Sequence, residues 1–386
     1  MHVLFAHSPP DLYGASRSLL RLSSRLVKDG HRVTVLLPSE GPLVNELIRA
    51  GVGIRITTQM SVVTRSAVRG AGKLLSFLAA IPLNVTGITR VCRELKPDVV
   101  HTNTALLLAP ALAARVLRVP HIWHVREVFS DYAKIWPVYQ WFMGAFASRI
   151  ICVSRAVASQ FHPVLRSKTV VLHNGFPSHE FEVVASERVQ RFRSRFGLNG
   201  EPVVGLVGRI KLGRKGQEVL LQAAAKLKKK HPSVRYLCIG SAFPGNEDHT
   251  SRFQSLCGEL DVADIVTCTG DVEDVKAAYS ALDISVQPST MPEAFSGVVV
   301  ESMALGCAVV ASAIGGTVEQ IDDGLSGLLF KSGDPDDLAN KLDALLSNEN
   351  LRRSVAENAR TKFLREFEFE PFYQRMTDIY RNAISQ

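Results

Sequence analysis

The sequence has only six cysteines, and none of them forms a Cys-x-x-Cys pair or lies beside a cluster of histidines. This spacing argues against a zinc site, and it favours small core residues in a reducing cytosol. The sequence also lacks low-complexity tracts and tandem repeats. What remains is the composition of an ordinary globular protein.

Long hydrophobic runs are also missing. No stretch offers the roughly 20 uninterrupted apolar residues that a membrane span needs, because Arg, Lys or Pro breaks the longest runs. The first residues have no basic start and only a short apolar run, so they do not resemble a secretory signal. We therefore expect a cytoplasmic protein that is at most peripheral on the inner face of the membrane.

The length of 386 residues is too great for one ordinary core and suits two domains. The charge differs between the halves: residues 1–185 carry 21 Lys and Arg against 10 Asp and Glu, and residues 186–386 carry 24 against 27. We expect only the first half to meet an anionic partner, such as a membrane surface or a phosphorylated lipid. Nucleic acid would suit the charge, but no nucleic-acid module is recognisable, so none is expected.

Short runs rich in β-branched residues alternate with helical patterns in both halves, as in 3–6 before 15–28 and in 203–207 before 216–230. This alternation predicts an α/β fold with two Rossmann-like domains, each a doubly wound parallel sheet covered by helices. We place the first domain at 1–185 and the second at 186–365. A last helix, about 366–386, is expected to pack back on the first domain.

A basic loop bounded by Gly208 and Gly216 follows a predicted strand and precedes a predicted helix. The two glycines let the backbone come close to a ligand, and Arg209 and Lys215 add two cations to the same loop. A diphosphate needs this arrangement, because charge-assisted hydrogen bonds contribute about 1.5–3 kcal/mol each. Taken alone, the loop could equally be a basic surface loop.

Two acids, Glu293 and Glu301, stand eight residues apart around the predicted start of a helix at Ser296 and Gly297. The free N–H groups of such a helix start can hold a phosphate. Carboxylates would repel that phosphate, so we expect them to bind sugar hydroxyl groups. A helix-capping acid beside a surface acid is the alternative.

Together these motifs resemble the retaining glycosyltransferases of family 4, which have the GT-B fold. The loop 208–216, the segment Glu293-x7-Glu301-Ser-Met-Ala-Leu-Gly and the turn 315–319 match in order and spacing over nearly the whole second half. The first half matches more loosely, in Tyr13-Gly14-Ala15 and around His124. Two departures are Ser296, where the family usually has Gly, and Ala15 in place of a second Gly.

The resemblance implies a set of donor-binding residues: Gly14, Arg209, Lys215, Val272, Glu293, Ser296, Gly297, Val298 and Glu301. It implies that Arg209 and Lys215 bind the diphosphate, that Glu293 binds the sugar and that Glu301 binds the ribose. The amides at 296–298 would face the sugar or phosphate, the turn 270–272 would lie near the base, and Gly14 would approach the distal phosphate. Glu293 is expected to be catalytic.

His124 is the second catalytic residue that the resemblance implies, either in contact with the transferred sugar or in support of the reacting face. The resemblance assigns Glu293 to a part of the sugar away from the anomeric carbon. We therefore favour attack by the acceptor on the same face of the sugar from which the leaving group departs, with the departing phosphate oxygen taking the acceptor proton. Two cations already face the diphosphate, so no metal or cofactor is expected. Asp334-Pro-Asp336 is formally the Asp-x-Asp pattern of metal-dependent enzymes of another fold, but Gly333 and Pro335 favour a helix cap.

The clue to the acceptor lies in residues 61–96, where Arg65, Arg69 and Lys73 recur at four-residue spacing among apolar residues. This pattern suits an anionic membrane surface or, equally, a helix packed on the first domain. We expect transfer from a UDP- or GDP-linked sugar to a lipid-linked or polysaccharide acceptor in bacterial-type cell-surface glycan synthesis. A phosphorylase or epimerase on the same scaffold, or a catalytically silent binding protein, is the alternative.

Overall fold

The computed structural model describes residues 1–64, 70–243 and 245–386. The chain forms two compact units: the first comprises residues 1–175 and 370–386, and the second comprises residues 176–369. The first boundary lies ten residues before the expected one at 185. The reason is that Phe176 and Phe181 are buried in an apolar cluster of the second unit, beside Phe363 and Phe367.

The first unit is built on a seven-stranded parallel sheet in the order β3-β2-β1-β4-β5-β6-β7. Its central strands are buried along their whole length, because helices cover both faces of a doubly wound sheet. The strands are β1 (His2–Ala6), β2 (Arg32–Leu37), β3 (Gly53–Ile56), β4 (Val99–Thr102), β5 (His121–Val125), β6 (Arg149–Cys152) and β7 (Thr169–Val171).

The described helices of the first unit connect these strands and add one element from the end of the chain. They are α1 (Gly14–Lys28), α2 (Pro42–Arg49), α3 (Ala71–Leu95), α4 (Ala109–Leu117), α5 (Trp136–Phe146), α6 (Arg155–Ala158) and α15 (Phe369–Ile384). From Glu370 onward, α15 belongs to this unit. Glu370 pairs with Arg25 of α1, and the Tyr373 hydroxyl donates to Asp29 at 2.6 Å.

Helix α3 changes one expectation from the sequence. It is the one helix, among the described residues, that is long and apolar enough to cross a membrane. The sequence predicted no such segment because a lysine, an arginine and Pro82 interrupt the apolar residues, but they do not end the helix. Its second half packs into the first unit through Ile88, Cys92 and Leu95. Its first half is mostly exposed, and Arg65 and Arg69 lie outside the described residues.

The second unit has a six-stranded parallel sheet in the order β10-β9-β8-β11-β12-β13. Buried apolar residues from the strands and from the covering helices form its core. The strands are β8 (Val203–Val207), β9 (Arg235–Ile239), β10 (Val266–Gly270), β11 (Ile284–Gln287), β12 (Ala308–Ser312) and β13 (Leu328–Phe330).

The described helices of the second unit follow the strands in the alternation that the sequence predicts. They are α7 (Ser186–Arg195), α8 (Gln217–Leu227), α9 (Asp248–Glu259), α10 (Val275–Ser280), α11 (Gly297–Ala304), α12 (Thr317–Gln320), α13 (Pro335–Ser347) and α14 (Glu349–Lys362). Both sheets are therefore doubly wound, as expected. In each, the strand order reverses beside the first strand, at β1/β4 and at β8/β11, which is where such sheets bind ligands.

Candidate active site

The loops that leave β8, β11 and β12 meet at the carboxyl-terminal edge of the second sheet. Gly216 has a φ of +75°, and a Cβ atom there would lie 1.8 Å from the carbonyl oxygen of Pro288. Gly315 has a φ of +61°, and its Cβ would lie 2.4 Å from the carbonyl oxygen of Glu293. The amide of Gly316 donates to that same oxygen at 2.8 Å. Glycine is required because backbone touches backbone at both places.

Lys215 and Glu293 form an ion pair at this edge. The Nζ atom of Lys215 lies 2.6 Å from Oε1 of Glu293, which also accepts a hydrogen bond from the Ser289 hydroxyl at 2.9 Å. The side chains are 29% and 22% exposed, so the pair is largely shielded from water. Burial by itself raises the pKa of Glu293, but the charge and hydrogen bond of Lys215, together with the Ser289 hydrogen bond and the charge of Arg214, outweigh it, and the net pKa is lowered. Glu293 is therefore ionised at neutral pH.

Arg209, the second cation of the loop, contacts a different partner. Its guanidinium carbon lies 4.4 Å from the ring centroid of Phe243, a half-exposed residue that follows β9. Its carbonyl oxygen accepts a hydrogen bond from Gln217 at 2.8 Å. A cation over an aromatic face is attracted by the ring electrons. No charge or recognisable motif singles out Phe243 in the sequence.

Glu301 and the start of α11 lie beside this pair in the chain. The hydroxyl of Tyr279 donates to Oε2 of Glu301 at 3.1 Å, so a buried tyrosine holds the second acid. Ser296 holds the N-cap position of α11 in an extended conformation, without a capping hydrogen bond from its side chain. Its amide donates to the Gln320 side chain at 3.2 Å, and that side chain donates back to the Ser296 carbonyl at 2.8 Å. Gln320 thus occupies one of the three amides expected to face the donor.

The other two amides belong to Gly297 and Val298, the first residues of α11. The N–H groups of a first helical turn have no carbonyl partner within the helix, so this end favours an anion or a hydroxyl group. Val272 follows β10 and packs against an apolar cluster that includes Leu237 and Ile239 of β9. In this unit, the expected donor residues therefore lie on the loops after β8, β10 and β11 and in helix α11.

Gly14 and His124 belong to the first unit. Gly14 is the first residue of α1, whose first turn contains no acid, and a Cβ atom there would meet nothing within 4 Å. His124 lies on β5 and is fully buried. Burial, assisted by the charge of Arg126, lowers the pKa of His124 well below its ordinary value. The imidazole is therefore neutral.

Arg126 is a further residue of this region, and no motif in the sequence singles it out. It stands one residue beyond β5, and burial lowers its pKa to about 10. Its side chain contacts His124, which was predicted as a site residue. An arginine two positions after a predicted active-site histidine, at the carboxyl end of a strand, was the available signal.

Asp334 has a structural role. Its carboxylate accepts hydrogen bonds from the amides of Asp336 and Asp337, each at 3.1 Å, and Pro335 is the first residue of α13. The Asp-x-Asp segment is thus a helix cap, which accounts for its residues without a ligand. Within the described ranges, no group of three or more His, Cys, Asp and Glu residues is placed to hold a metal ion.

Comparison with known proteins agrees with both halves of this description. The family model for glycosyl transferases group 1 matches residues 189–362, and the model for glycosyltransferase family 4 matches residues 13–204. A D-inositol 3-phosphate glycosyltransferase of Corynebacterium kroppenstedtii is 34% identical over 210 residues, which cover 53% of this chain but only 46% of that protein. An enzyme of the same name from Corynebacterium urealyticum is 26% identical over 96% of this chain and 91% of its own length.

Among solved structures, Anabaena Alr3699/HepE in complex with UDP superposes with a TM-score of 0.85 at 23% identity, covering 99% of this chain and 100% of that one. The same protein has been solved with UDP-glucose. At this level of identity the similarity shows the fold alone. The family 4 model covers most of the first unit, and the group 1 model covers most of the second. The chain therefore belongs to glycosyltransferase family 4 and is a glycosyltransferase with the GT-B fold.

Proposed function

We propose that this glycosyltransferase moves a sugar from a nucleotide-diphosphate sugar to a glycan or lipid-linked acceptor, with retention of configuration and without a metal ion. The Lys215–Glu293 pair is the observation that carries this proposal. It puts a cation and an ionised, largely buried carboxylate side by side at the ligand-binding edge of the sheet. A diphosphate requires the cation, and a sugar hydroxyl group suits the carboxylate.

The cations of Lys215 and Arg209 match the negative charge that develops on the leaving diphosphate. Breaking the bond between the anomeric carbon and the phosphate oxygen leaves positive character on the sugar and negative charge on the diphosphate. Lys215 and Arg209 would stabilise the leaving group, since preorganised charges of this kind need no rearrangement during the reaction. When the diphosphate engages Lys215, Glu293 would accept a hydrogen bond from a sugar hydroxyl. Tyr279 would hold Glu301 for the ribose.

In this proposal the anomeric configuration is retained because the acceptor attacks the same face of the sugar from which the diphosphate departs. A covalent intermediate would need a carboxylate at the anomeric carbon, and the family resemblance places Glu293 elsewhere on the sugar. The departing phosphate oxygen would then take the acceptor proton. As the family resemblance implies, Gly14 would approach the distal phosphate and His124 the transferred sugar.

A UDP-linked hexose is the first donor to test, because a protein of the same fold has been solved with UDP and UDP-glucose. A GDP-linked sugar is the second. Ser296 places a side chain where the family usually has glycine, so it is a candidate for narrowing the choice of sugar. For the acceptor, the excess of Lys and Arg in residues 1–185 favours an anionic molecule, which suits the lipid-linked or phosphorylated acceptors of cell-surface glycan synthesis.

A panel of nucleotide sugars tests the donor. We expect one UDP- or GDP-linked sugar to raise the melting temperature, and the same compound to support transfer to a membrane-lipid extract or a phosphorylated acceptor. The anomeric configuration of the product, read by proton NMR, should match that of the donor. Turnover should persist in excess EDTA. An inverted product would contradict retention, and a loss of turnover restored by a divalent ion would contradict metal independence.

We also propose that the first half of α3 rests on an anionic membrane surface in a cytoplasmic, peripheral arrangement. Leu75, Leu78 and Leu83 are 67%, 48% and 61% exposed, and Lys73 is exposed beside them. No acidic residue occurs in α3 before Glu94. Apolar side chains flanked by positive charge and free of acids are typical of a helix that lies in the lipid headgroup region.

Changing Leu75, Leu78 and Leu83 together to serine should weaken binding to vesicles containing phosphatidylglycerol on the order of 10-fold to 100-fold, because the apolar area buried in the interface is lost. Co-sedimentation at constant ionic strength measures this. The control replaces the exposed Ile48, Val116 and Val164 of the same unit by serine, and it should bind as the wild type does. Equal binding by both triple variants would disprove the proposal.

A further inference from the structure

The side chain of Arg126 makes hydrogen bonds to neutral groups on every side. Its Nε atom donates to Oδ1 of Asn103 at 3.0 Å, and Nη1 donates to Oδ1 of Asn174 at 2.7 Å. Its Nη2 atom donates to the Ser18 hydroxyl at 3.0 Å and contacts Nδ1 of His124 at 3.3 Å. All of these residues belong to the first unit, so the arrangement is internal to it.

The contact with Nδ1 determines where the proton of His124 lies. A guanidinium group has N–H donors and no acceptor, so Nδ1 of His124 must accept. In a neutral imidazole the other nitrogen, Nε2, then carries the hydrogen. Burial and the nearby charge of Arg126 lower the pKa of His124 well below its ordinary value, so the ring is neutral.

The Nε2 atom of His124 is buried and, among the described residues, has no hydrogen-bond partner. His101 and His121 also leave one ring nitrogen unpartnered, but their other nitrogens meet the hydroxyl groups of Tyr380 and Thr102. A hydroxyl group can donate or accept, so either tautomer is open to those two rings. In His124 alone of the three, the unpartnered nitrogen must be an N–H donor, which calls for an acceptor oxygen from a ligand.

We infer that Arg126 is a positioning residue that fixes His124 in the Nε2–H tautomer, so that His124 donates a hydrogen bond to a hydroxyl oxygen of the transferred sugar and does not act as a base. This inference rests on the proposed function, which supplies the sugar. It assigns Arg126 a role through His124 and not through direct contact with the substrate.

The groups around His124 support this assignment. His101 of β4 faces the ring with its centroid 5.3 Å away, and Tyr380 of α15 lies behind His101. The nearest acid in the chain, Glu127, is already bound by the Thr104 hydroxyl and by the amides of Ala105 and Arg126. No carboxylate among the described residues makes a hydrogen bond to His124 that would draw its proton to Nδ1.

The first test is made on the wild-type protein, labelled with ¹⁵N and ¹³C in histidine. The His124 signals are identified by their loss in His124→Asn. We expect ¹⁵N shifts of the Nε2–H tautomer and no titration between about pH 5.5 and 8, the range in which an ordinary histidine changes charge. An Nδ1–H tautomer, or a ring that becomes cationic in this range, would overturn the inference.

The second test separates the hydrogen bond from the charge. Arg126→Gln keeps an N–H donor without the charge, and Arg126→Leu removes both. We expect Leu to mix the tautomers of His124 and to lower kcat/KM on the order of 10-fold to 100-fold, and Gln to restore the single tautomer and most of the rate. Arg115→Leu, at an exposed arginine of the same unit, is the control and should change neither.

Two results of the second test have distinct meanings. If Gln and Leu both keep the wild-type tautomer and lose rate equally, Arg126 does not act through His124 and the inference is wrong. If the tautomer behaves as expected but no nucleotide sugar supports transfer, the proposed function fails and the tautomer assignment stands. The wild-type spectrum and Arg126→Gln keep the test decisive even if Arg126→Leu does not fold.

Discussion

Lys215→Ala should lower turnover with the nucleotide sugar by about 10²–10³-fold, the range found when one preorganised charge-stabilising donor is removed. The Lys215 ammonium is the cation that contacts Glu293 directly, at 2.6 Å. Without it, the leaving diphosphate loses a cation that stabilises it. Glu293 also becomes a largely buried carboxylate, and of its two side-chain hydrogen bonds in the structure the one from Ser289 remains. Steady-state kinetics measures the first effect, and unfolding experiments measure the second.

The stability of this variant should depend on pH in a defined direction. In the wild type the pKa of Glu293 is lowered, so the pair stabilises the fold above the ordinary carboxyl pKa and loses that effect as the pH falls through the lowered value. In Lys215→Ala, burial still raises the pKa of Glu293 while the opposing charge and hydrogen bond of Lys215 are gone, so this pKa should be higher than in the wild type. We expect a loss of about 1–3 kcal/mol of unfolding free energy at pH 7. The difference from wild type should start to shrink as the pH falls through the higher pKa of Glu293 in the variant, and it should stop changing once the pH is below the lowered wild-type pKa.

Two further variants separate catalysis from folding. Lys215→Ala combined with Glu293→Gln should recover most of the stability, because no charge stays buried, but it should not recover turnover. Lys226→Ala breaks a Lys–Asp pair of similar length, 2.7 Å, in the same unit, where the side chains of Lys226 and Asp336 are 46% and 73% exposed. It should change the unfolding free energy by no more than about 0.5 kcal/mol and leave turnover intact. Equal effects of Lys215→Ala and Lys226→Ala would refute the assignment.

The sequence predicts the features of this fold that repeat locally. The apolar run 203–207 and the glycine-bounded loop after it identify a strand, a turn and a helix, and the structure has all three as β8, the loop 208–216 and α8. The same periodicity predicts both parallel sheets. Polar segments say less about where one domain ends, so the sequence puts the boundary between the two units near 185. The contacts that decide it, between Phe176 or Phe181 and Phe363, join residues far apart in the chain.

The candidate site also has features that the sequence predicts and features that it does not. Its residue types were predictable, because cations, carboxylates and glycines in a fixed order are typical of the family. The pairing of Lys215 with Glu293 was not, since 78 residues separate them and only the convergence of β8 and β11 brings them together. Arg126 and Phe243 lacked any motif, because a single arginine or phenylalanine near a strand end is common. Their roles depend on which side chains neighbouring strands place opposite them.

Gly216→Ala should unfold the protein more easily than most single substitutions, with a loss on the order of 3 kcal/mol or more. Two effects add. The φ of +75° disfavours any residue with a Cβ, and that Cβ would lie 1.8 Å from the carbonyl oxygen of Pro288. The oxygen belongs to the backbone just after β11, and the Thr290 amide is tied to the Arg214 carbonyl at 3.0 Å, so the two loops cannot simply move apart. Since Lys215 is the preceding residue, turnover should fall as well.

Gly213→Ala is the matched control, because it lies in the same loop and has nearly the same conformation, with a φ of +72°, but nothing lies within 4 Å of its Cβ. It should show only the conformational cost of about 1–2 kcal/mol. Chemical denaturation of both variants therefore isolates the contact between the loops after β8 and β11. If Gly216→Ala loses no more stability than Gly213→Ala, the contact with Pro288 is not rigid. Lys215 would then be free to move relative to Glu293, and the preorganised charge on which the proposed chemistry depends would be absent.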